Sequence, residues 1–510
     1  MRRHLLLLVA LLLTACANHV PIEPSQALPA KDSPLGAALI AQSRQHPAGQ
    51  SGFRLLSSST EAFIARAELI RAARQSLDLQ YYIVHDGLST RALIDELLKA
   101  ADRGVRVRIL LDDTTSDGQD DEIALLGAHP NVQVRVFNPL HLGRATGITR
   151  ALGRLFDVTL QHRRMHNKLW LADNAVAVVG GRNLGDEYFD VEPNLNFTDI
   201  DLLGAGPVAE QLGQSFDQYW NSALSKPIEQ FVSFPPSARD LAKTRRGLTD
   251  YLNAAQIEQR ENYQRLMDYQ DHPRLAGWLN ELIWAHGSAM WDAPTKILKS
   301  EPDPQLLLTS QLGPELTNVS EELMLISAYF VPAEDGLTYL TGRADAGVSV
   351  SLLTNSLEAT DVPAVHGGYA PYRKALLRHG VKLFELRRQP EQEASYNLSG
   401  SSESSLHSKA LVFDRRKVFI GSLNFDPRSI LWNTEVGVLV DSPELAGEVR
   451  RLTLEGMAPA LSYEVRLENG RLVWIAEDNR RLHRIDREPG GAWRQFNAWL
   501  AKVIGLERLL

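Results

Sequence analysis

Apolar and polar positions along the chain fall into blocks, and the blocks occur twice. Residues 76–113, SLDLQYYIVHDGLSTRALIDELLKAADRGVRVRILLDD, open on an apolar run that reaches tyrosine near its end. A stretch of helical periodicity follows, then the turn glycine Gly104 and a second apolar run, VRVRILL. Residues 322–355, ELMLISAYFVPAEDGLTYLTGRADAGVSVSLLTN, repeat that order around Gly347. Strand, helix and strand in this order predict a β-α-β unit with a parallel pair, and so an α/β layered fold. Tyr81, Tyr82 and Tyr329 fall at the strand ends, where core packing and substrate contact are both open to them.

A second matching block follows in each half. The first is MHNKLWLADNAVAVVGGRN at 165–183, the second LHSKALVFDRRKVFIGSLN at 406–424. His166 precedes Asn183 by 17 residues, and His407 precedes Asn424 by the same 17. Further on, Phe197-Thr198-Asp199-Ile200 parallels Asn433-Thr434-Glu435-Val436. Internal repetition of this kind predicts two homologous α/β halves, at 51–225 and 300–460. Between them, 226–299 is rich in Arg, Glu, Gln and Tyr and predicts a helical connector. In the last part, 461–510, Glu468-Asn469-Gly470-Arg471 is a hairpin signal. Trp493, Phe496, Leu500, Val503 and Ile504 then share one helical face, expected to pack into the core.

The repeated residues carry chemistry. His166 and Lys168 are two apart, as are His407 and Lys409, so on a strand each pair shares one face. Asp173 and Asp414 lie at an odd offset of seven, where the strand turns back, and read as structural or orienting groups. Two imidazoles, two ammonium groups and two asparagines meeting at a pseudo-twofold axis would suit a phosphodiester. Lys168, Lys409, Asn183 and Asn424 can hold nonbridging oxygens and offset the charge that develops on them. One neutral histidine can attack phosphorus while the other, protonated, donates to the leaving oxygen. An ordinary imidazole pKa of about 6.5 populates both states near neutrality. With that much positive charge, neither a metal nor a cofactor is required.

His166-x-Lys168-x₄-Asp173 with Gly180-Gly181-x-Asn183, and His407-x-Lys409-x₄-Asp414 with Gly421-Ser422-x-Asn424, resemble the paired motifs of the phospholipase D superfamily. Leu79 through Ile83, Arg163 through Lys168, Val179 through Phe189, Thr354 through Ser356 and Asp361 through Tyr372 are similar to the C-type cardiolipin synthase branch. The resemblance implies two phospholipase D-like α/β halves with mixed sheets packed about a pseudo-twofold axis. It implies a phosphohistidine intermediate and transfer of a phosphatidyl group to an alcohol or water. His166 would be the nucleophile and His407 the acid/base, with Lys168, Lys409, Asp173 and Asp414 in the catalytic set. Asp199 and Glu435 match the carboxylates that orient the histidines, and Ser422 joins the two asparagines as a phosphate ligand. Gly181 departs from the pattern, leaving the first half one hydroxyl short.

Arg163 and Arg164 precede His166, where headgroup steering and a solvated role are both open. His85 and His366 read as structural. Arg373, Lys374, Arg378, Lys382, Arg387 and Arg388 are expected on one exposed helix face and its exit, able to favour anionic lipid.

The N-terminus is a targeting segment. Arg2 and Arg3 precede the apolar run Leu5–Leu13, which is too short to span a bilayer. It ends at Leu13-Thr14-Ala15-Cys16, which resembles the bacterial lipobox. Residues 1–15 are then a signal peptide, Cys16 an acylated first residue, and 16–50 a tether. Cys16 is the only cysteine, which excludes an intramolecular disulfide. Ala17 favours outer-membrane sorting of a periplasm-facing envelope lipoprotein. Lys+Arg of 54 against Asp+Glu of 62 gives 54 − 62 = −8, which weighs against a nucleic-acid partner. Phospholipid is the expected substrate and the membrane, through the lipid anchor, the expected partner. Cardiolipin synthesis leads; the alternatives are hydrolysis to phosphatidic acid, a nuclease, and a non-catalytic lipid-binding lipoprotein.

Overall fold

The computed structural model describes residues 22–114, 120–139, 162–193, 195–232, 234–388 and 404–503. Cys16 and the apolar leader lie outside the described residues.

Among the described residues, twenty strands follow the chain in this order. The first half holds β1 (Ser51–Leu56), β2 (Ser76–Tyr81), β3 (Arg106–Asp112), β4 (Val132–Phe137), β5 (Leu169–Ala172), β6 (Val176–Gly180), β7 (Asn196–Thr198), β8 (Asp201–Ala205) and β9 (Ser225–Pro227). β10 (Ile283–Trp291) lies between the halves. The second half holds β11 (Glu322–Ser327), β12 (Ser349–Asn355), β13 (Lys382–Leu386), β14 (Ser404–Leu406), β15 (Lys409–Phe413), β16 (Lys417–Gly421) and β17 (Val436–Asp441). β18 (Ser462–Glu468), β19 (Arg471–Asp478) and β20 (Arg481–Ile485) close the chain's sheet.

The predicted β-α-β units form. β2, β3 and β4 run parallel, with the helices Leu88–Asp102 and Asp120–Gly127 between them. β11, β12 and β13 do the same around Ala333–Asp345. Both sets are buried nearly throughout, as parallel strands covered on both faces must be. Each half then turns antiparallel: β5 pairs with β2 and β15 with β11. β6 and β8 extend the first sheet, β16 and β17 the second.

β10 joins the halves. It pairs with β1 through Ile283–Ala285 and with β17 through His286–Trp291, making one continuous sheet of 18 strands among the described residues. The expected helical connector therefore has helices at Ala238–Glu258, Arg260–Met267 and Leu275–Asn280 but ends in a structural strand. One apolar cluster, with Phe53, Val179, Met324 and Val436, lies beneath both halves.

The tether expectation for 16–50 is corrected. Arg135 donates to the Glu23 carbonyl at 2.8 Å, and the Ser25 N–H donates to Asn221 at 3.0 Å. The Ala27 N–H donates to Asp217 at 2.8 Å, and His46 stacks on Trp284 at 4.5 Å. A helix at Pro34–Ser43 buries Leu39 between these points. From Glu23 onward the segment is a belt fastened to the first half, since its backbone groups find partners there rather than in water.

The terminal stripe is also corrected. The helix Ala492–Val503 forms, but Trp493 is 71% exposed, Phe496 46% and Trp499 55%. Its small residue Ala498 is the one that packs inward. The basic cluster is not one exposed face. Arg373 is buried against Glu385 and Glu488, and Arg387 pairs with Asp478. Among the described residues, no helix is long and apolar enough to cross a membrane.

Candidate active site

The two His-x-Lys segments meet where the halves exchange backbone. The His166 N–H donates to the Thr434 carbonyl at 2.8 Å, and the Thr434 N–H returns to the Arg164 carbonyl at 2.9 Å. The reciprocal contact runs from the His407 N–H to the Thr198 carbonyl at 2.8 Å, and β7 pairs in parallel with β14. Each histidine is thereby carried to the carboxylate of the opposite half. His166 Nδ1 lies 2.9 Å from Glu435 Oε2, and His407 Nδ1 lies 2.8 Å from Asp199 Oδ2. With Nδ1 committed to a carboxylate, Nε2 is the ring nitrogen presented to the cavity.

That cavity, of 280 Å³, has His166, His407, Asn183 and Asn424 in its wall, together with Tyr82, Tyr188, Tyr329, Asp361, Asp426 and Arg428. The ring of Tyr82 meets His166 edge-on at 5.1 Å, and Tyr188 meets His407 at 5.3 Å. Lys168 Nζ donates to the His166 carbonyl at 2.6 Å, and Lys409 Nζ makes the equivalent bond to the His407 carbonyl. Lys409 opens β15, whereas His166 and Lys168 lie just before β5 in extended chain outside the ladder.

Burial and the charges of Lys168 and Lys409 hold the His166 imidazole well below its ordinary pKa. Burial and Lys409 likewise lower His407, to about 4, against the opposing pull of Asp199. Both lysines are lowered by burial. The carboxylates diverge. Burial pushes Glu435 up to about 7, with Lys168 opposing. Burial also pushes on Asp199, but the hydrogen bond and charge of His407 bring it below the usual range. Burial and the lysine charges thus favour the neutral form of each imidazole, while Asp199 draws His407 toward the charged one.

The supports of the two carboxylates differ as well. Ser422 Oγ donates to Glu435 at 2.5 Å and Ser429 Oγ at 2.7 Å. Asp292, at the end of β10, accepts from the Glu435 N–H at 2.8 Å and pairs with Lys296 at 3.0 Å. Ser422 is thus corrected from phosphate ligand to carboxylate support, because its hydroxyl is spent on Glu435. At the equivalent position, a Cβ on Gly181 would stand 2.4 Å from Asp199 Oδ2, so there is no room for serine.

Asp173 and Asp414 are absent from the cavity wall. Each sits at a hairpin turn with φ near +50°, a region that aspartate tolerates. Asp173 accepts from the N–H groups of Arg74, Gln75 and Ser76, the last two at 2.8 and 3.0 Å. Asp414 accepts from Ser320, Glu321 and Glu322 at 3.1, 2.7 and 3.0 Å. They fix the start of β2 and β11, in keeping with the structural reading and not with a place among reacting groups. Asn183 accepts from the Ile83 N–H and donates to Tyr188, and Asn424 accepts from the Tyr329 N–H.

Tyr81 belongs to the core, bonded to Arg66 at 3.2 Å, while Tyr82 and Tyr329 line the cavity. Arg163 lies over Trp432 at 4.0 Å and donates to the carbonyls of Ile297 and Lys299, so it is a packing residue. Arg164 is buried, 3.8 Å from Asp112. His85 pairs with Glu187 and His366 with Glu488. Sequence reasoning missed Arg428, the arginine that does line the cavity. Its signal was its place four residues after Asn424, on a short helix capped by Asp426.

Comparisons with known proteins follow the same division. Residues 67–220 and 313–454 match the family described as cardiolipin synthase, PLD-like domain. The chain is 37% identical to cardiolipin synthase C of Escherichia coli over 481 residues, 93% of this chain and 99% of that protein. It is 33% identical to an uncharacterized protein of Helicobacter pylori over 87% of this chain and 86% of that one. A solved phosphatidylserine synthase of Haemophilus influenzae superposes with a TM-score of 0.55 at 12% identity, covering 84% of this chain and 92% of that chain. At that identity it shows the fold alone.

Proposed function

The chain belongs to the family of cardiolipin synthases with a PLD-like domain, and on that premise we propose that it is a phosphatidyltransferase that joins two phospholipids into cardiolipin. The observation that carries the chemistry is the pair of cross-half histidine–carboxylate contacts opening on one cavity. A neutral His166 attacks the donor phosphorus through Nε2. The headgroup oxygen leaves and takes the Nε2 proton of a protonated His407. His407, now neutral, then accepts the proton of an acceptor hydroxyl, which displaces His166 from phosphorus. Asn183 and Asn424 meet the nonbridging oxygens at the wall, Arg428 adds a cation there, and Lys168 and Lys409, buried and bonded to the histidine carbonyls, contribute positive charge from outside the wall. Burial favours a neutral His407 in the free site, and the charge of the bound anionic diester favours the imidazolium, which takes its proton from solvent.

Cys16 is the acylated first residue of the mature protein, and the body sits at the periplasmic side of a bacterial envelope, with the outer membrane favoured. The functional test is lipid mass spectrometry. Purified full-length protein is added to vesicles of phosphatidylglycerol and phosphatidylethanolamine. Cardiolipin with release of the headgroup alcohol is expected. Phosphatidic acid as the sole product would replace transfer by hydrolysis.

A further inference from the structure

The terminal helix Ala492–Val503 is fastened to the wall of the cavity. Its backbone touches the helix Pro363–Tyr369 so closely that a Cβ on Gly367 would stand 2.3 Å from the Ala498 carbonyl oxygen. Arg494 donates to the carbonyls of Leu357 and Thr360 at 3.2 and 2.6 Å. Just before the helix, Glu488 pairs with His366 at 2.5 Å and with Arg373 at 2.7 Å. Val362 and Val365, on the same short segment, line the cavity with His166 and His407. The terminal helix is thus continuous with the site's rim.

Its other face is uncovered. Trp493 stacks on Phe496 at 5.7 Å, Phe496 lies 5.9 Å from Trp499, and all three are exposed. Spacing of three residues keeps them in one row along the helix. Large aromatic rings with a polar edge favour the boundary between water and lipid. The charge pattern agrees. No Asp or Glu occurs between Glu488 and Glu507, in a chain with 62 acidic residues, and Arg494 of that interval is turned to the body. An apolar aromatic row free of anions meets no charge repulsion at an anionic lipid surface.

We propose that the row Trp493, Phe496 and Trp499 docks on an anionic phospholipid bilayer and presents the rim of the cavity to it. The proposal rests on the reading that the substrate is a membrane lipid. It adds a contact surface separate from both the acyl anchor and the reacting groups.

The test compares full-length protein with a Trp493→Ser/Phe496→Ser/Trp499→Ser variant in vesicles of phosphatidylcholine and phosphatidylglycerol. Tryptophan quenching by acyl-brominated lipid is expected in the wild type, and most of it should be absent from the variant. Turnover of vesicle phosphatidylglycerol should fall by about tenfold or more when three interfacial aromatic side chains are removed. Turnover of a short-chain phosphatidylglycerol kept monomeric should stay within about twofold, because the changed residues do not line the cavity. Equal quenching in both proteins overturns docking. Equal loss on both substrates, or a lowered melting temperature, makes the row a support of the fold instead. A wild-type dimer that the variant dissolves, without quenching, gives the face to a second copy of the chain. If the wild type turns over neither lipid, the functional reading fails while quenching still decides docking.

Discussion

At the residue scale, the two histidines form one device. Each is backed by a carboxylate from the other half, and both faces of the reaction pass through one cavity. His166→Ala and His407→Ala should each lower kcat by several orders of magnitude. The double variant should be little worse than either, because groups that act in one step are non-additive. Independent losses that multiply would refute a shared step. The pH profiles carry a second prediction. Free imidazoles held below their ordinary range place the optimum of kcat/KM on the acid side of about 6.5. The bound diester raises them, so the kcat profile should lie at higher pH than that of kcat/KM. Coincident profiles would mean that the substrate's charge does not reach the imidazoles. The residues needed for this chemistry were legible because they recur at equal spacing. Which carboxylate backs which histidine was not, since nothing in a linear repeat marks an exchange between halves. The fate of Ser422 was hidden for the same reason: its hydroxyl serves a carboxylate brought in by folding.

At the scale of elements, the hairpin aspartates hold the sheets in register. Asp173 is buried and receives three N–H groups at the mouth of β2. Asp173→Ala leaves those donors without their acceptor and should cost about 2–3 kcal/mol in urea unfolding. A cost near zero would show that water replaces the carboxylate. Asp426 offers a test of sign. Burial raises its pKa to about 7, while its side chain caps Pro427–Leu431 through the Ser429 N–H at 2.9 Å. The folded protein then holds a proton that the unfolded chain releases near pH 4. Stability contributed by that proton is complete below pH 4 and is lost as pH rises through 7. Asp426→Asn keeps the cap and removes the titration. Wild-type stability relative to the variant should therefore fall by roughly 3 kcal/mol from pH 4 to 7; a flat difference would show that the carboxyl is ionised throughout. The β-α-β units were readable from periodicity, and the terminal helix was too. Its orientation was not, because a stripe at helical spacing has the same sequence whether it faces the core or solvent.

For the whole molecule, the membrane is met by lipid modification and by the exposed aromatic row, both of them proposals about one surface. Growth with a labelled fatty acid tests the first. A Cys16→Ser protein should carry no label, and label at the wild-type level would remove the anchor. Pro, Ser, Ala and Gln after Cys16 have the composition of a loose spacer, but composition does not reveal that carbonyls of Glu23 and Ser25 are bound by buried arginines. That docking sets a leash. From Cys16 to Glu23 is 23 − 16 = 7 residue steps, which reach about 25 Å when fully extended. A bilayer with its headgroups is about 40–45 Å thick. On the proposal that Cys16 is acylated, so short a lead keeps the body within about 25 Å of its anchoring leaflet, and its search for the second lipid becomes a lateral walk whose rate depends on lipid density per unit area, not per unit volume.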